Sequence, residues 1–319
     1  MILVTLSRKQ KTQQHLNMKK LSYLLCALLL VGCKDASQDN GKLNVVTTTT
    51  MITDMVGAIG GDAINLQGLM GSGVDPHLYK PSEGDVSKLQ DADVIFYNGL
   101  HLEGKLVDIF EKMEARDKNA IAVSDAIDKS TLIGSEYFAS NYDPHVWFDT
   151  DYWISMSRLV AQELTAADPE NKETYEQNLA NYISSIEELA VELKQIIDDL
   201  PAEKRILVTA HDAFNYYGRK FGFEVVGLQG LSTATEAGVQ DVQNITQFII
   251  ENDIKAVFVE SSVPRRTVEA LQAAVRAQDR EVEIGGELYS DALGSAGTAE
   301  GTYVGMYKHN VNTIVNALK

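Results

Sequence analysis

Residues 168–200 read DPENKETYEQNLANYISSIEELAVELKQIIDDL, and this stretch decides the architecture. Asp168 can cap a helix and Pro169 suits the first helical position. Apolar residues then fall at Tyr175, Leu179, Tyr182, Ile186, Leu189, Leu193, Ile196 and Leu200, alternating steps of four and three. That spacing lays one continuous stripe along a helix. About 30 residues at 1.5 Å each predict a rod of roughly 45 Å, longer than one small domain needs. Pro201 stops it.

On the N-terminal side, Leu43–Thr47, Ile64–Leu69, Asp93–Tyr97 and Ala120–Val123 read as strands. Pro81–Ala92, Glu103–Ala115 and Asp151–Ala167 read as helices, with Ser82 placed to cap the first. On the other side, strands at Arg205–Ala210, Glu224–Leu228, Lys255–Val259 and Glu281–Leu288 alternate with helices at Ala213–Phe221, Val239–Asn252, Arg265–Gln278 and Thr302–Leu318. Strand–helix alternation predicts crossover units and mostly parallel sheets. The expected fold is α/β, with two lobes joined by one long rigid backbone helix. The lobes are 43–167 and 201–319, and the linking helix is 168–200.

Ahead of the first lobe, Lys19 and Lys20 precede an apolar run from Leu21 to Val31. A basic start and a short apolar core describe a signal peptide over residues 1–32, too short to span a bilayer as a helix. Met18 reads as the true start. The run ends in Leu30-Val31-Gly32-Cys33, which resembles a bacterial lipobox and implies lipidation of Cys33 followed by cleavage before it. A plain signal peptide with an incidental cysteine is the alternative. Cys26 lies inside the run, so the processed chain would have no disulfide and no thiolate ligand. Residues 33–42 are polar and read as a tether.

The formal net charge of the whole chain is -17. Removing the signal segment takes away Arg8, Lys9, Lys11, Lys19 and Lys20 and no acid, so the remainder is more acidic still. Nucleic acid is excluded as a partner, because phosphate binding needs clustered Lys and Arg.

Six histidines are present. His15 precedes the expected start. His77 and His145 share one frame, Asp75-Pro76-His77 and Asp143-Pro144-His145. Proline fixes its own φ and extends the preceding residue, so each histidine is presented from a stiff loop. Metal ligands and backbone-bonded loop histidines are both compatible with that frame. His211 follows a strand directly, where open α/β sheets place ligands. Asp291, after the last strand, reads from spacing alone as a turn or helix-capping residue rather than a ligand. His101 and His309 fit core or surface roles. No HExxH, CxxC pair or EF-hand loop is present, so only a fold could bring positions 77, 145, 211 and 291 together.

The frames around these residues resemble the zinc/manganese solute-binding family of ABC importers (cluster A-I). The likeness runs through Asp75-Pro76-His77 with Tyr79-Lys80-Pro81-Ser82, and then Asn98-Gly99-Leu100-His101-Leu102-Glu103. It continues in Asp143-Pro144-His145-Val146-Trp147-Phe148-Asp149 and Thr209-Ala210-His211-Asp212-Ala213-Phe214. It closes with Leu288-Tyr289-Ser290-Asp291-Ala292-Leu293-Gly294 and Thr302-Tyr303-Val304-Gly305-Met306. The resemblance implies a substrate-binding lipoprotein, not an enzyme, that holds one Zn2+ or Mn2+ in a cleft between two lobes. The implied ligands are His77 and His145 from the first lobe and His211 and Asp291 from the second. The implied setting is the periplasm or the outer face of the cytoplasmic membrane, with a lipid anchor, an ABC permease as partner and a monomeric chain.

Family members with glutamate where His211 stands are associated with manganese, and histidine there moves the site toward zinc. Zinc-uptake members often carry a His-rich insert, yet no histidine lies between Glu111 and Asp143, which leaves both metals open. Two other functions are open to such a chain. A zinc hydrolase keeps three protein ligands plus water with a base nearby, and no motif here supplies that base. A surface adhesin of the same fold has no independent support in the residues.

Overall fold

The protein is described here by a computed structural model covering residues 41–114, 119–136 and 138–319. The expected signal peptide, the lipobox with Cys33, and all of the tether except Gly41 and Lys42 lie outside those residues.

The first half is built from β1 (Leu43–Thr47), α1 (Thr50–Gly60), β2 (Ile64–Gly68), α2 (Glu83–Asp91), β3 (Val94–Tyr97), α3 (Val107–Glu114) and β4 (Ala120–Ala122). Its strands form one parallel sheet in the order β2-β1-β3-β4. Helices α4 (Thr150–Ala167) and α5 (Lys172–Asp198) follow. The second half runs β5 (Ile206–His211), α6 (Asn215–Phe221), β6 (Glu224–Gln229), α7 (Val239–Glu251), β7 (Ala256–Glu260), α8 (Arg266–Arg276), β8 (Glu283–Leu288) and α9 (Tyr303–Leu318). Here β5 pairs with β6 and β7 with β8, both parallel, and β5 lies beside β7. Contacts tie Leu43–Lys319 into one compact unit, within which each half keeps its own sheets.

The long helix has 27 residues and packs on α1 and α4 of the first half and on α9 of the second. Tyr175, Ile186, Leu189 and Leu193 are buried as the stripe requires, but Ile183 and Ile197 are buried too, while Leu179, Tyr182 and Ile196 are half-buried. A straight α-helix turns every 3.6 residues, so a 3.5-residue stripe drifts around it. The helix also starts later than expected. Pro169–Asn171 form a separate 3₁₀ turn, and the Asp168 carboxylate accepts from the Tyr175 hydroxyl (2.7 Å) and Asn171 Nδ2 (2.8 Å).

Two other differences are local. The helix expected from Glu103 begins at Val107, because Glu103 is buried and its carboxylate accepts from Thr48 Oγ1, Asn98 N and Gly99 N. Gly99, Leu100 and His101 before it all have positive φ, which no helix tolerates. Helix α1 was not expected at all. Its buried Met51, Ile52, Met55, Val56 and Ile59 do follow a helical period, behind a run of β-branched threonines that reads as extended chain.

Candidate metal centre

The repeated Asp-Pro-His frame is a structural device. In both copies the aspartate carboxylate folds onto the backbone N–H two residues on: Asp75 Oδ1 accepts from His77 N (2.8 Å), and Asp143 Oδ1 from His145 N (2.9 Å). The intervening proline has no N–H to compete and holds φ rigid. Asp143 Oδ1 also meets His145 Nδ1 at 2.7 Å. From the other half, Asn215 Nδ2 donates to Asp143 Oδ2 (3.1 Å) and the Tyr216 hydroxyl to the Asp143 carbonyl (3.0 Å).

His211 is the last residue of β5, at the carboxyl end of its sheet. Glu260, the last residue of β7, receives both its backbone N–H (2.8 Å) and Nδ1 (2.5 Å). Asp291 lies just beyond β8, on a loop bolted to the first half. Trp147 Nε1 donates to the Ser290 carbonyl (3.0 Å), Leu293 N donates to Thr50 Oγ1 (2.8 Å), and Ser72 Oγ donates to the Leu293 carbonyl (3.0 Å).

These supports bring His77, His145, His211 and Asp291 together as one buried group, each offering a ligand atom within 4.8 Å of the others. His77 Nε2 lies 3.3 Å from His145 Nε2 and 3.5 Å from Asp291 Oδ2. His211 Nε2 lies 3.2 Å from Asp291 Oδ2, and His145 Nε2 lies 3.6 Å from Asp291 Oδ1. A carboxylate on Nδ1 keeps the proton there, so His145 and His211 turn Nε2 toward the centre of the group.

The electrostatics are uneven. Burial pushes His77 down to about 3, against the pull of Asp291, so it stays neutral. Burial also disfavours charge on His211, but the carboxylates of Asp291 and Glu260 outweigh it and raise His211 well above the ordinary value. Burial would likewise favour a neutral Asp291, yet His211, His145 and His77 hold it well below the usual carboxylate range. His211 Nε2 and both oxygens of Asp291 are buried with no aligned hydrogen-bond partner. An unpaired buried polar atom costs about 1–3 kcal/mol, which a coordinated cation would offset. Three imidazole nitrogens and one carboxylate make a borderline donor set suited to first-row divalent metals.

All four expected residues meet at this point. His101 is exposed and far from it in role, lining a separate cavity with Tyr97 and Phe110. His309 Nε2 bonds the Glu287 carbonyl (2.9 Å). Sequence reading passed over Glu260, Asn215 and Tyr216. Glu260 did leave a signal: an acid closing the all-buried strand AVFVE has no place in a core unless something holds it.

The model of zinc-uptake complex component A periplasmic (ZnuA) matches residues 45–317. Zinc-binding protein TroA of Treponema pallidum (strain Nichols) is 48% identical over 287 residues, covering 90% of this chain and 92% of that protein. Manganese-binding lipoprotein MntA of Bacillus subtilis (strain 168) is 43% identical over 302 residues, covering 93% and 97%. Iron ABC transporter substrate-binding lipoprotein MtsA of Streptococcus pyogenes serotype M1 is 35% identical over 301 residues, covering 93% and 94%. The solved structure of the periplasmic zinc-binding protein TroA from Treponema pallidum superposes with a TM-score of 0.85 at 47% identity, covering 87% of this chain and 99% of that one.

Proposed function

We propose, from the premise that this chain belongs to the zinc-uptake complex component A family, that it is the substrate-binding lipoprotein of an ABC importer carrying a divalent transition metal. The cargo is zinc or manganese, held by His77, His145, His211 and Asp291 between the two halves and passed to the permease. One observation carries this reading: His211 Nε2 and both Asp291 oxygens are buried and unpartnered beside two further imidazoles. A cation is the group that uses all of those lone pairs at once. Family and relatives are metal-binding transport proteins, and the chain is a carrier rather than an enzyme.

Lipidation at Cys33 anchors the mature chain in the periplasm or at the outer face of the cytoplasmic membrane. The lipobox supports this, as does the likeness to relatives named as lipoproteins. The chain acts as a monomer, and the completeness of the site within one copy supports that.

Isothermal titration of metal-stripped protein tests capture. One zinc or manganese ion per chain is expected, with His211→Ala weakening affinity by about a hundredfold or more. Equal affinity of the variant and the unmutated protein would refute the ligand set, and elemental analysis of protein from its native envelope identifies the cargo.

A further inference from the structure

Residues 230–238, between β6 and α7, form a loop whose Ala234, Thr235 and Glu236 are exposed, yet Thr233 among them is buried. The Thr233 hydroxyl reaches out of the second half and donates to Asp75 Oδ2 at 2.5 Å. Asp75 Oδ1 accepts the His77 N–H, so one carboxylate joins the loop to the segment that presents His77.

Among the described residues, the loop's other hydrogen bonds stay within the second half. Gly230 O accepts from Asp212 N, Ser232 Oγ from Ala234 N (3.2 Å), and Thr235 O from Gln229 Nε2 (3.1 Å). The loop also borders a cavity of about 610 Å³, lined by Leu231, Ser232, Thr235 and, from the first half, Phe138. Phe138 stands edge-on to the His77 ring at 6.4 Å. The loop therefore has space beside it and a single polar tie to the segment carrying His77.

We propose that Thr233 is a positioning residue for metal retention. Acting through Asp75, it holds the His77 segment against the second half, and the ion leaves only when this bond opens. The proposal rests on the reading of His77 as a ligand. Because the bond must open for the ion to leave, its loss lowers the barrier to release.

Stopped-flow transfer of zinc from the loaded full-length protein to a chromophoric chelator tests it. Thr233→Val, which keeps the shape and removes the donor, is expected to release zinc about tenfold faster. The unfolding midpoint of its metal-free form should fall by no more than a few degrees, and Thr233→Ser should restore slow release. Release at the unmutated rate from Thr233→Val overturns the proposal, as does equally fast release from Thr233→Ser. An unmutated protein that takes up no zinc overturns the ligand reading itself, and the two failures are distinguishable.

Discussion

At the residue scale, the centre stores its charge unequally. His211, flanked by Asp291 and Glu260, holds a proton at neutral pH, while buried His77 holds none. A metal ion needs the bare Nε2 and must displace that proton. Metal affinity should therefore rise with pH by about tenfold per unit at any pH below the raised His211 value and level off above it. The sign for the metal-free fold is opposite: the His211 proton contributes stability that is present below the ordinary histidine value of about 6.5 and lost as pH climbs through the raised value. Titrations in buffers of different ionisation enthalpy should record release of close to one proton per ion near neutrality, and none would contradict this picture. The histidines were legible as residue types in a shared frame. Their tautomers were not, because Glu260 sits 49 positions from His211 and only strand adjacency brings it there.

At the element scale, α5 carries the architecture. Leu189 on this helix is buried in a core that draws residues from both halves. Leu189→Ala should cost about 2–5 kcal/mol of stability, read from chemical denaturation, because the surrounding helices cannot close the cavity completely. It should leave one metal bound per chain, since α5 supplies no candidate ligand; loss of binding by a folded variant would show that the helix tunes the centre. This helix was visible from its stripe, whereas α1 was masked by threonines that favour extended chain. The start of α3 was lost for a different reason. Glu103 spends its carboxylate on a buried turn of left-handed residues, and helical periodicity does not report such a side-chain commitment.

At the scale of the whole molecule, the halves are cross-braced around the site. Asn215 and Tyr216 of the second half hold Asp143, Thr233 holds Asp75, and Trp147, Thr50 and Ser72 of the first half hold the Asp291 loop. A bound ion adds a further bridge between the same halves. Zinc at about a thousandfold over its Kd should stabilise the fold by about 4 kcal/mol. For a chain of this size that is an upward shift of roughly 10 °C in the thermal midpoint, reversed by a chelator. A midpoint indifferent to zinc would mean that the ion does not bind the folded chain in preference to the unfolded one.

By itself the sequence determined the order of the strands and of most helices, the α/β class, the long connecting helix and the residue types of the centre. These follow from local rules: side-chain spacing, proline geometry and the polar or apolar character of each position. Tertiary structure alone decided that positions 77, 145, 211 and 291 converge within 4.8 Å, and which distant carboxylates orient them. That convergence depends on sheet topology and on packing across α5, where residues far apart along the chain become neighbours and no local pattern records the meeting.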